Sequence, residues 1–174
     1  DHTFSLITSE ELARMGAGGL GSSLLIHSIG LPPILAIGSD ELKQRIAPQV
    51  LSGDKVIALG ITEPSGGSDV ANLKTKATLV GDHYVVNGSK TFITGGMRAN
   101  YVTTAVRTGG EGHCGISLLL METDAEGYSR TSLKKQGWLC SDTATLYFDN
   151  VHVPKENLIG QEGQGFAGIM YNLN

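Results

Sequence analysis

Of the 174 residues 24 are glycine and only 5 proline, so glycine stands at roughly twice its usual share of about 7%. The glycines follow no Gly-X-Y period and sit outside polar low-complexity tracts, and 40% of the residues are hydrophobic, which excludes collagen-like and disordered chains. Lys+Arg 13 against Asp+Glu 17 gives a net charge of −4 with no basic run longer than Lys134-Lys135, which argues against nucleic acid and membranes as partners.

The chain opens without Met, and no charged segment followed by an apolar one succeeds Asp1, so no secretory signal is expected. From Ser9 to about Ser52 the pattern is helical. Ser9 before Glu10-Glu11-Leu12 reads as an N-cap with acids in the first turn, and Ser39-Asp40-Glu41-Leu42 repeats the device. Leu12, Met15, Leu20, Leu24, Leu25, Ile29, Ile34, Leu35, Leu42, Ile46 and Val50 predict short, mostly buried helices, broken at Gly30 to Pro33 and at Pro48. The apolar stretch Leu20 to Gly38 is interrupted by Ser22, Ser23, His27, Ser28 and Pro32-Pro33, so it reads as buried helix and not as a membrane span.

From Val56 onward the period shortens to 2. Strands are expected at Val56-Ile61, Lys76-Val80, Tyr84-Asn87, Lys90-Thr94, Tyr101-Val106, Ile116-Glu122, Thr143-Asp149 and Val151-Pro154, with Gly81-Asp82, Asn87-Gly88, Gly95-Gly96, Gly109-Gly110 and Glu126-Gly127 as turns. Many short strands argue an antiparallel barrel or sandwich. Phe166, Ile169, Met170 and Leu173 then paint an apolar stripe on a helix opening after Gly163 or Gly165, and the stripe, uncovered at Asn174, reads as part of something longer. The fold class is therefore α+β: helices, an antiparallel β domain, and the start of a further helical unit.

Cys114 and Cys140 show no CxxC spacing and suggest a reduced compartment, and the five histidines set no two ligands on one helical face, so no metal is expected. One loop stands apart from ordinary turn chemistry. In Thr62-Glu63-Pro64-Ser65-Gly66-Gly67-Ser68-Asp69, Pro64 fixes a dihedral, Gly66 and Gly67 admit close approach of a ligand to bare backbone, and successive N–H groups can cradle carbonyl or phosphate oxygens. A long hairpin loop whose Ser and Asp satisfy their own backbone is the alternative on spacing alone.

Five motifs in order cover about Leu31 to the end: Ile61 to Asp69; Asn87-Gly88-Ser89-Lys90-Thr91-Phe92-Ile93-Thr94-Gly95-Gly96; Gly137-Trp138 with Ser141-Asp142-Thr143; Phe148-Asp149-Asn150-Val151-His152-Val153-Pro154; and Gly160-Gln161-Glu162-Gly163-Gln164-Gly165-Phe166. Together they resemble the acyl-CoA dehydrogenase family. The resemblance implies residues 1–54 as the last helices of an N-terminal α domain, 55–160 as a middle β domain, and 161–174 as the first helix of a C-terminal bundle. It implies desaturation of an acyl-CoA thioester at Cα–Cβ, with the β hydride passing to N5 of FAD and electrons then to an electron-transfer flavoprotein. It further implies a homo-oligomer, tetramer or dimer, located in the bacterial cytoplasm or the mitochondrial matrix.

By the same resemblance, Leu59, Gly60, Ile61 and Thr62 lie along the isoalloxazine, with Thr62 a donor to its polar edge. Gly67 and Ser68 touch FAD phosphate oxygens and the acyl-CoA chain, and Ser68 also binds substrate. Phe92, Ile93 and Thr94 form a second flavin segment, with strand core the lesser alternative for Phe92 and Ile93. Glu63 ties the loop and takes no part in acid-base chemistry. Phe92 and Gly95 depart from the Trp and Asn of many relatives, and Leu59 and Gly60 replace bulkier or polar residues. The family's catalytic base is a Glu of the C-terminal bundle, expected downstream of Asn174, so no catalytic residue is assigned, and Glu162 matches none. A flavin monooxygenase or nitroalkane oxidase on the same scaffold, or a binding module without chemistry, is the alternative.

Overall fold

A computed structural model describes residues 2–173, and side chains from 3 to 170. Five helices come first: α1 (His2–Arg14), α2 (Gly18–Leu24), α3 (His27–Gly30), α4 (Pro32–Ile37) and α5 (Asp40–Leu51). Ser39 caps α5 as expected, its hydroxyl accepting the Leu42 amide at 3.1 Å. Ser9 does not cap anything. It lies inside α1, which starts at His2 and is tied near its end by Arg14 to Glu10 at 3.0 Å and to Glu11 at 2.7 Å. Pro48 does not break α5 either, because it sits in the last turn, where the loss of one N–H donor and one carbonyl contact leaves the rest of the helix intact.

The helices are less buried than the pattern predicts. Ile34, Leu42, Ile46 and Val50 are in the core, but Met15 and Leu24 are more than half exposed and Ile29 and Leu35 more than a third. These side chains are left partly open to solvent. No single helix among the described residues is long and apolar enough to cross a membrane; α2 with α3 and α4 reaches that length only across a 47° bend.

Eight strands follow: β1 (Ile57–Gly60), β2 (Lys76–Val80), β3 (His83–Thr94), β4 (Tyr101–Arg107), β5 (Ile116–Glu122), β6 (Tyr128–Ser132), β7 (Thr143–Pro154) and β8 (Leu158–Ile159). They form one sheet in the order β6-β7-β3-β2-β4-β5-β8, with β1 parallel to β4 at its side. The sheet is mostly antiparallel, as expected, and it is open: the edge strands β6 and β8 do not meet to close a barrel. The four segments expected as Tyr84-Asn87, Lys90-Thr94, Thr143-Asp149 and Val151-Pro154 are two long strands, β3 and β7, which pair with each other through two register shifts. Asn87-Gly88 is therefore no hairpin. Gly88 takes φ 145 beneath Thr75, whose Cα would lie 2.7 Å from any Cβ added there, and one shift falls between Val86 and Gly88.

β5 is buried on both faces and separates two cores. Leu119 and Met121 join Tyr84, Val86, Val102 and Leu146 on one side, while Leu118 and Leu120 pack with Leu42, Ile46 and Ile57 on the other. Helix α3 lies directly on β1, since a Cβ at Gly30 would come within 3.0 Å of the Ile57 and Ala58 carbonyl oxygens, and Thr103 Oγ1 donates to the Gly30 carbonyl at 2.7 Å. The sixth helix, α6 (Gly165–Leu173), starts where predicted. Its Ile169 is buried in the helix-facing core with Phe166 and Met170 packed against it, and the side chain of Leu173 lies outside the described range.

Candidate functional site

The end of β1 and the irregular half of β3 come together. β1 stops at Gly60, and the chain continues through Ile61 and Thr62 alongside β3, where the Thr91 amide donates to the Thr62 carbonyl at 2.8 Å. Thr62 is thus held against Thr91, the residue before Phe92.

Phe92 is 68% exposed and carries φ 58, a left-handed conformation that costs an L-residue about 1–2 kcal/mol. It sits at the second slip between β3 and β7, from Lys90 to Ile93. An exposed, strained aromatic ring at a bulge is a displayed side chain and not a core one. Ile93 is the opposite case: at 2% exposure its side chain belongs to the core beside Ala144 and Leu146. Thr94 is half-buried at the end of β3.

The turn after Thr62 is tight. Glu63 and Gly66 exchange two backbone hydrogen bonds of 3.1 Å across Pro64 and Ser65. Gly66, Gly67 and Ser68 are exposed, and a Cβ at Gly66 would meet nothing within 4 Å, so this backbone is open on its outer side. Residues Ser65, Gly66, Asp69, Asn72, Leu73 and Lys74 line a concavity of about 280 Å³ beside it. Gly60 has a different reason for being glycine. It is buried, and an added Cβ would lie 3.1 Å from Val102 Cγ1, so a side chain there would crowd the sheet packing. Gly95 and Gly96 are likewise buried, against Ile26 and Ala144; Gly66 and Gly67 are exposed, but of these two only Gly66 has open space for a Cβ, which at Gly67 would lie 3.2 Å from Thr62 Cγ2. Leu59 and Ile61 are half-buried.

Beneath the turn lies an ion pair. Lys90 Nζ donates to Glu63 Oε1 at 2.8 Å and to the Ile61 carbonyl at 3.1 Å, and the two side chains are 0% and 4% exposed. The Glu63 carboxylate also accepts the Lys74 amide at 2.6 Å and the Thr75 amide at 2.9 Å. Burial resists its charge, yet the Lys90 ammonium and these donors together hold the carboxyl at about 2. Burial also pulls the Lys90 ammonium down to about 8 against the opposing attraction of Glu63. Glu63 therefore ties the loop and holds its proton far too weakly to work as a base near neutrality. Lys90 lies in one of the quoted motifs but drew no role in the sequence, because its partner is 27 residues away.

The Ser141-Asp142-Thr143 segment has a positioning role. Asp142 accepts the Met97 amide at 2.8 Å and Arg98 Nε at 2.7 Å, and its carbonyl accepts the Gly95 amide at 2.9 Å, so it fixes the turn that follows Thr94. Arg98 reaches on to Ser23 Oγ of α2. Trp138, also left-handed at φ 52, backs onto α2: a Cβ at Gly18 would lie 2.9 Å from its Nε1. A Gly-Gly pair at the start of α2 and a Trp in a distant loop were the only sequence signs of this contact.

The sheet thus ends, at β1 and β3, in an exposed aromatic near an exposed Gly-Gly-Ser turn. Comparison with known proteins gives the fold its family. The profile of the acyl-CoA dehydrogenase middle domain matches residues 58–151, and that of the N-terminal domain matches residues 1–54. An acyl-CoA dehydrogenase of Alternaria alternata is 42% identical over 175 residues, covering 100% of this chain and 40% of the relative. The solved acyl-CoA dehydrogenase of Geobacillus kaustophilus superposes with a TM-score of 0.94 at 41% identity, over 99% of this chain and 46% of that one. A chain from a structure described as the electron transferring flavoprotein of Acidaminococcus fermentans gives 0.87 at 39% identity, over 90% and 42% of the two chains. The protein belongs to the acyl-CoA dehydrogenase family, a family of flavin-dependent oxidoreductases. The chain spans less than half the length of these relatives.

Proposed function

We propose that residues 1–174 form the flavin- and thioester-facing part of an enzyme that desaturates acyl-CoA at Cα–Cβ. The observation that carries this reading is the bond from the Thr91 amide to the Thr62 carbonyl, which brings the strand end beside the residue before an exposed, left-handed Phe92, next to a turn with bare backbone at Gly66. Those groups suit FAD: a flat ring can lie against Phe92, its polar edge can take hydrogen bonds from Thr62 and Thr94, and phosphate oxygens can meet the amides of Gly67 and the hydroxyl of Ser68. When bound there, FAD supplies the two-electron acceptor that no side chain can be.

The chain's own residues then bind, orient and exclude water. Leu59 and Ile61 give the strand end an apolar wall, Phe92 covers the ring, and Thr62 and Thr94 supply donors. Ser68, exposed at the turn, is the residue proposed to touch the acyl-CoA chain. The buried carboxylate nearest this face is committed to Lys90, so the α-proton is taken by a base outside residues 1–174. Electron-transfer flavoprotein as acceptor and a homo-oligomeric assembly complete the reading, supported by the family and by the similarity to the chain from A. fermentans. The test is acyl-CoA-dependent reduction of an artificial electron acceptor. The full-length protein carries it out, and residues 1–174 alone give none; turnover by residues 1–174 alone would overturn the assignment of the base.

A further inference from the structure

Lys90 is the buried charge for which binding, as just described, gives no direct task. Its ammonium is fully enclosed, and a buried ion pair is seldom the most stabilising way to fill a core, since apolar residues of similar volume do as well or better. What it contributes beyond filling is direction. Of its two acceptors one is Glu63, which the Lys74 and Thr75 amides hold in place, and the other is the backbone carbonyl of Ile61.

The Ile61–Thr62 peptide is trans, as are all those described, and planar. In such a unit the carbonyl and the following N–H point in opposite directions. Drawing the Ile61 oxygen inward to the buried ammonium at 3.1 Å therefore turns the Thr62 N–H away from the core. Among the described residues no acceptor receives that N–H, whereas the next carbonyl, that of Thr62, is held by the Thr91 amide at 2.8 Å. Consecutive residues of β3, Lys90 and Thr91, thus fix the peptide units on both sides of Thr62, and the following residue of the same strand is the displayed Phe92.

We propose that Lys90 is a positioning residue for the flavin: its ammonium, anchored by Glu63, sets the Ile61–Thr62 peptide so that the Thr62 amide is presented to the ligand as a ready-made donor. This rests on the flavin reading above. Glu63 acts one step further back, holding the lysine and not the ligand.

The experiment uses the full-length protein and FAD itself, with three variants: Lys90→Met, Glu63→Gln, and both together. Thermal unfolding reports the fold; FAD affinity and the position of the flavin visible band report the site. The paired variant removes both charges at once, and its unfolding returns toward wild type relative to Lys90→Met, because no carboxylate is left buried and unpaired. Its FAD affinity stays about tenfold or more weaker and its visible band displaced, as expected for a misdirected donor. Glu63→Gln alone leaves Lys90 its bond to the Ile61 carbonyl while weakening its anchor, so FAD affinity falls by less than in the paired variant. A paired variant that folds and binds FAD with wild-type affinity and spectrum overturns the proposal, as does failure of every Lys90 variant to fold, which would make the lysine a requirement of the fold. A wild-type protein that binds no FAD would instead overturn the flavin reading before Lys90 is touched.

Discussion

Strand β3 has two halves that use the same alternation to different ends. From His83 to Val86 it is regular: Tyr84 and Val86 are 1% and 0% exposed, their neighbours face the other way, and pairing with β2 and β7 is unbroken. From Lys90 to Thr94 the alternation fails. Lys90 is fully buried while Phe92, two residues on, is exposed, because the pairing with β7 slips between them. The regular half builds core; the slipped half stores a charge inward and displays an aromatic ring outward. A bulge, with its extra residue on one strand, re-aims the side chains that follow it.

Substitutions in the two halves should separate stability from binding. The largest effect is expected for Lys90→Met alone, which strands the Glu63 carboxylate and costs about 3–5 kcal/mol in denaturant unfolding. Acid should act on the same pair. The Glu63 carboxyl is held at about 2 against an ordinary 4.5, so its contribution is complete above pH 4.5 and is lost as pH falls toward 2. That contribution is roughly 3 kcal/mol at most. Urea unfolding across that window should lose stability steeply in the wild type, and Glu63→Gln, weaker at neutral pH, should show a flatter acid limb.

In the regular half, Val86→Ala should cost about 2 kcal/mol by the methyl groups removed and the cavity left. FAD affinity should not move. In the slipped half, Phe92→Gly should do the reverse: relief of the left-handed strain leaves stability unchanged or raises it by about 1 kcal/mol, while FAD affinity falls. Equal losses of stability for Val86→Ala and Phe92→Gly would erase the distinction between the halves.

The halves also differ in how far the sequence reveals them. Lys76–Val80 and Ile116–Glu122 are strands with the bounds that alternation predicts, and Ser39 caps as its neighbours require. Asn87-Gly88 misleads because the pair is the strongest short hairpin signal, and only Thr75, brought in from β2's approach, shows why glycine is needed in mid-strand. β6 escapes notice because Tyr-Ser-Arg-Thr-Ser carries no apolar alternation; it is an edge strand defined by its partner β7. In the site, the Glu63 tie, the exposed Gly67 and Ser68, and the segments around Thr62 and Phe92 were readable as motifs. The slip that exposes Phe92, the packing that explains Gly60, and the burial of Lys90 depend on strands far apart in the chain, where periodicity carries no information.

The most direct test of the account is anaerobic addition of acyl-CoA to the full-length protein while its flavin absorbance is followed. The account predicts a yellow protein whose flavin band bleaches as the thioester is desaturated. Retained flavin with no bleaching by short, branched, aromatic or long acyl-CoAs would contradict it and leave the scaffold serving a different chemistry.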